Sequence, residues 1–249
     1  MTVGDVIAAL ALPPESRVNQ RVPKKLLVES GAPTVADKRQ VNDGIEELLW
    51  IAALKPGTVG IPEFHDAERD ALEIAVLTLS LRHETRANRL VELIHRAIPY
   101  PVFLITTQDG AISLSLAAKR HSQNEAGRVV LDNVPVCCEL TDGLLTTQWL
   151  PSLALAAQPR AHLLAVYQGW MACLEAFQAA QITGRLTNRA DSGSQEVRRQ
   201  ALADHTLILR DIAALRAQAE REAQLNRRVE LNLTIKRLEA ELAAAAANL

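Results

Sequence analysis

Residues 100–120, "YPVFLITTQDGAISLSLAAKR", carry two apolar runs on either side of Asp109-Gly110. Asp-Gly is favoured in two-residue hairpin turns because both central positions need positive φ, which these residues tolerate. In the second run Ile112, Leu114 and Leu116 alternate with Ser113 and Ser115, the period of a half-buried strand. The stretch predicts a β-hairpin, and a hairpin commits the surrounding chain to a sheet with antiparallel pairing.

Further strands are predicted on both sides. "EELLWIAALKP" (46–56) reads as a buried strand stopped by Pro56-Gly57, and "ALEIAVLTLSL" (71–81) as a second one. "RVVLDNVPVCCEL" (128–140) adds one more, which Pro135 confines to a sheet edge. Helices fill the intervals. The first runs to about Leu12 and stops at Pro13-Pro14, and a short one follows Pro23. Another opens at Thr34, with Asp37 at capping-box spacing, and ends at Gly44. In "ETRANRLVELIHRAIP" (84–99), Ala87, Leu90, Val91, Ile94 and Ile98 share one helical face. Residues 162–182 form an apolar helix with a stripe of Leu163, Val166, Tyr167, Trp170, Leu174 and Phe177, closed by Gly184.

After Gln195 neither proline nor glycine occurs, and Ala, Leu, Glu and Arg dominate. This composition predicts one long helix or two arms of a coiled coil. Ile208, Ile212, Leu215 and Ala219 make one heptad seam; Leu231, Ile235, Leu238, Leu242, Ala245 and Leu249 make another, out of phase with the first. The phase change falls near residues 222–228, so the first seam is expected to face its own domain and the second another chain. The organisation predicted is an α+β domain over 1–184, a linker or turn over 185–195, and a coiled-coil arm over 196–249. The fold class is α+β: a mostly antiparallel sheet with covering helices and a long C-terminal coiled-coil helix.

A hydrophobic fraction of 48% over 249 residues is enough for a real core, which excludes wholesale disorder. Net charge of −2 gives no general attraction to nucleic acid or anionic membrane, so any such contact must be local. Three cysteines, Cys137, Cys138 and Cys173, suit neither a disulfide framework nor a metal-ligand spacing. A reducing cytoplasm is the expected location. The first residues lack a basic segment ahead of the apolar run, and the 162–182 helix carries Gln168, Gly169 and Glu175; neither a signal peptide nor a membrane span is expected.

Lys119 raises the question of nuclease chemistry, since metal nucleases of the restriction type place an acid two residues before a strand lysine. Here that position is Ala117. The lysine is therefore read as the solvated end of a strand, guarding its edge. "HDAERD" (65–70) offers His65, Asp66, Glu68 and Asp70, good ligand types, but reads as a hydrated turn. His83 and His95 are read as surface or boundary residues, and no base can be named for Cys137 as a nucleophile. No catalytic residue, metal ligand set or cofactor is assigned. Arg17, Arg21, Lys24 and Lys25 lie within nine residues free of acids, a set able to contact several phosphates of nucleic acid.

Five stretches, "RVNQRVPKK", "DKRQVNDGIEELLWIAALKPGTVGIP", "HRAIPYPVFLI", "SLSLAAKR" and "QLNRRVELNLTIKRLEAEL", resemble in that order the bacterial domain of unknown function 4391 family. The resemblance covers nearly the whole chain. It implies a genomic setting beside restriction–modification methyltransferases and large DNA helicases of antiphage defence loci, and supplies no catalytic residues. The function expected is a non-enzymatic accessory or scaffold subunit of such a complex. Its arm, through Leu231, Ile235, Leu238, Leu242 and Leu249, would hold a helicase or methyltransferase partner or a second copy. Its basic cluster would contact DNA. The alternative is an atypical metal-dependent nuclease using the acids of residues 66–73.

Overall fold

Asp109 and Gly110 take φ of +51° and +83°, both in the left-handed region that the hairpin turn demands. They sit in a computed structural model that describes residues 1–125, 127–187 and 192–249, the side chains of 192–194 excepted. The chain runs through α1 (Val3–Ala9), β1 (Arg17–Arg21), α2 (Lys24–Ser30), α3 (Val35–Gly44) and β2 (Ile45–Leu54). A single turn, α4 (Pro56–Val59), and two short strands, β3 (Phe64–His65) and β4 (Asp70–Ala71), precede β5 (Ile74–Leu81). Then come α5 (Ala87–Ala97), β6 (Val102–Gln108), β7 (Ala111–Leu116), β8 (Lys119–His121), β9 (Val129–Leu131) and β10 (Val136–Leu140). Four α-helices follow among the described residues: α6 (Leu144–Trp149), α7 (Leu163–Thr183), α8 (Ser192–Arg221) and α9 (Leu225–Ala247).

Six strands form one sheet in the order β1-β2-β5-β6-β7-β10. Every pair is antiparallel except β5–β6, which run parallel because α5 carries the chain back between them. The fold is α+β, with the mainly antiparallel sheet that the hairpin implies. Leu77 and Leu79 of β5 and Leu104 of β6 pack with Leu27, Val41, Leu90 and Ile94 from α2, α3 and α5. On the opposite face Phe103 meets Trp170 of α7 edge-on, with ring centroids 5.2 Å apart. The six residues of the α7 stripe are all at most 2% exposed. Thr34 caps α3 by accepting the Asp37 N–H at 3.1 Å.

The chain divides into two compact units, Met1–Leu174 and Glu175–Leu249. The expected linker over 185–195 falls partly on residues 188–191, which lie outside the described residues. In the second unit the arm resolves into two helices, α8 and α9, parted at residues 222–224, where the sequence shifts its heptad phase. They pack antiparallel: Arg216 pairs with Glu239 at 2.6 Å, and Leu249 meets Ala179 and Ala201. Buried or half-buried positions in α8 include Ala201, His205, Ile208, Ile212, Leu215 and Ala219; those in α9 include Leu231, Ile235, Leu238 and Leu242. The second seam thus lies against α8 of the same chain, because the break at 222–224 lets two offset seams face each other. Leu225, Val229 and Leu233, spaced four apart on α9, are left 49–63% exposed.

Candidate functional site

Lys119 is not a solvated strand end. β7 stops at Leu116, and Lys119 opens a separate strand, so it does not continue the face of Ser113 and Ser115. The residue is 9% exposed, and its ammonium donates to the Ile98 and Tyr100 carbonyls, each at 2.6 Å. Ile98 is the C-cap of α5, where unsatisfied carbonyls concentrate and a cation is favoured. Burial pushes the Lys119 pKa down to about 7. His95 is buried as well: its Nε2 lies 2.9 Å from Ser115 Oγ. Desolvation, then the charge on Lys119, hold it well below the ordinary imidazole value, so it is neutral. His83 is exposed and pairs with Asp109 at 2.9 Å. Desolvation raises Cys137 to about 11 and Cys138 to about 12, the opposite of a nucleophilic thiolate.

The basic cluster occupies the free edge of the sheet. Arg17 and Arg21 lie on β1, antiparallel to β2, and the register slips between Arg17 and Gln20, where Asn19 takes φ of +50°. Both arginines are exposed, and neither makes an ion pair among the described residues. Lys25 is also exposed, 3.7 Å from Glu29. Lys24 stands apart from the predicted set: its amine donates to the Asn42 carbonyl at 2.9 Å and to the Ile45 carbonyl, closing the end of α3. Burial, then Arg82 and Arg21, lower its pKa. Arg82 therefore belongs to this cationic edge, a member hidden in sequence because it follows β5 by one residue and arrives through β2–β5 pairing.

The acids of residues 66–73 divide by role. Asp66 Oδ1 accepts the backbone N–H groups of Glu68 and Arg69, at 2.8 and 2.6 Å, so it shapes the loop; those bonds lower its pKa. Glu73 pairs with Lys55 at 3.0 Å. Asp70 alone faces other ligand-type side chains. It stands directly across the β3–β4 ribbon from His65, whose Nδ1 hydrogen-bonds one carboxylate oxygen. The other oxygen lies 3.3 Å from His121 Nε2. His121 ends β8, fifty-six positions along the chain from His65, so no local spacing could have flagged it. One nitrogen from each imidazole and one carboxylate oxygen fall within 4.8 Å of one another. The ribbons carrying them are joined: the His121 N–H donates to the Glu68 carbonyl at 2.7 Å, and Asp132 holds Arg69 at 3.1 Å and Arg120 at 3.2 Å.

Residues 10–242 match the family described as Domain of unknown function (DUF4391). No curated protein and no solved structure matches the chain. No helix of the described residues is long and apolar enough to cross a membrane.

Proposed function

The chain belongs to the DUF4391 family, and from that premise we propose that it is a non-enzymatic accessory subunit of a bacterial antiphage defence complex. It works in the cytoplasm, contacts DNA phosphates with its cationic sheet edge, and holds a helicase or methyltransferase partner with its helical arm. The observation that carries the reading is the pair Arg17 and Arg21, which project from an edge strand with no carboxylate partner among the described residues. An edge strand gains protection from edge-to-edge pairing by such charges, and the same charges are free to meet phosphate. The genomic setting implied by the resemblance supports the partner class. The seam of Leu231, Ile235, Leu238, Leu242 and Leu249 packs within the arm, so the surface open to a partner is the outer stripe of Leu225, Val229 and Leu233.

DNA affinity measured against salt tests the edge. With Arg17, Arg21 and Lys25 engaged, the slope rule for B-DNA gives a loss of about 40-fold between 50 and 200 mM salt. Arg17→Glu with Arg21→Glu and Lys25→Glu should abolish low-salt binding and leave the melting temperature unchanged. Lys24 is spared because it closes α3. Equal affinity of wild type and triple variant at low salt would remove DNA from the proposal.

A further inference from the structure

We infer that His65, Asp70 and His121 form a binding site for a divalent transition cation, zinc by preference, that fastens the β3–β4 ribbon to the β8–β9 ribbon. Two imidazoles and one carboxylate are a donor set suited to zinc: the nitrogens exclude magnesium and calcium as natural occupants, and the absence of thiolate disfavours copper(I). Three protein ligands leave a fourth position for water or for a ligand brought by a partner.

Geometry favours the site on three counts. Tetrahedral ligands about 2.0–2.1 Å from zinc lie roughly 3.3 Å from one another. Asp70 and His121 already stand at that separation, 3.3 Å. The remaining closure, from at most 4.8 Å, falls to His65, whose side chain is 71% exposed and already hydrogen-bonded to Asp70. Asp70 and His121 are 29% exposed and held by their ribbons, so two of the three ligands need little ordering on binding.

Electrostatics point the same way. A cation held by two imidazole nitrogens and one carboxylate oxygen would gain one negative charge from the triad. The guanidiniums of the adjacent Arg69 and Arg120, which would repel a cation, are both turned onto Asp132. The Asp66 turn and the His121 to Glu68 backbone bond fix the loop and the second ribbon against each other.

The test uses the untagged full-length chain, stripped of metal by a chelator and titrated with zinc or cobalt(II). Expected are one equivalent bound with micromolar or tighter affinity, visible d–d absorption from the cobalt form, and a higher melting temperature in zinc. His121→Ala and Asp70→Asn should each weaken zinc at least tenfold and remove the thermal shift. His65→Ala, an exposed change that leaves the fold intact, should do the same. His83→Ala, on a histidine outside the triad, should bind like wild type. Absence of saturable binding at micromolar zinc overturns the site, and so does binding that survives the loss of His65 or His121. Because the DNA edge uses none of these residues, either result leaves the accessory-subunit reading where it stood.

Discussion

Lys119 shows how one residue can look catalytic and be structural. Its ammonium answers two carbonyls at the end of α5, and no carboxylate pairs with it among the described residues. Leaving a buried acceptor without a donor costs about 1–3 kcal/mol, so two of them set the scale of removing the side chain. Lys119→Ala is expected to destabilise the protein by about 2–4 kcal/mol, read as a lower urea midpoint with an unchanged slope. An unchanged midpoint would return Lys119 to the solvent. Sequence could not reveal this role. "SLSLAAKR" alternates up to Leu116, and nothing local announces that the chain breaks at Ala117-Ala118 and turns the lysine inward. The His65–Asp70–His121 cluster was half visible for a related reason. His65 and Asp70 share a loop, but His121 joins them only through a ribbon that tertiary structure brings near.

Among the elements, α3 and α5 are joined by a clip that pH can open. Arg89 of α5 donates from Nε and Nη2 to the two oxygens of Asp37 in α3, at 2.8 and 2.9 Å. Arg89 first, then the Thr34 hydroxyl, hold the Asp37 pKa at about 2, against an ordinary 3.8. A carboxylate depressed in the folded state stabilises fully above its unfolded pKa and loses that contribution as pH falls through the folded value. Stability from this clip should therefore fade between about pH 4 and pH 2. Urea unfolding at stepped pH should show a steeper acid loss in wild type than in Asp37→Asn. Parallel curves would mean the clip adds nothing. Thr34 and Asp37 were legible as a cap from their spacing, whereas Arg89, fifty-two residues on, was not. Strands and helices with strong periods, such as the 100–120 hairpin and the 162–182 stripe, formed where the residues placed them. β1 escaped notice because its basic residues obscure a short edge strand. The arm was legible as helix and as two out-of-phase seams, yet their phase change proved to be a turn, so the seams met within one chain.

The whole molecule offers two surfaces: a cationic sheet edge in one unit and an apolar outer stripe on α9 in the other. Leu225, Val229 and Leu233 lie on one face of α9 and remain in water. Burying each contributes about 1.5–3 kcal/mol, enough together to hold a partner once charge and shape agree. Service to a helicase or methyltransferase, as proposed for this chain, is tested by co-purification. The full chain would be co-expressed with any tagged helicase or methyltransferase that its genome encodes beside it, either as wild type or with Leu225→Asp, Val229→Asp and Leu233→Asp. Expected are stoichiometric retention of wild type and at least a tenfold loss for the variant, at equal helicity and melting temperature. Failure of the wild-type chain to be retained, or equal retention of both, would contradict it.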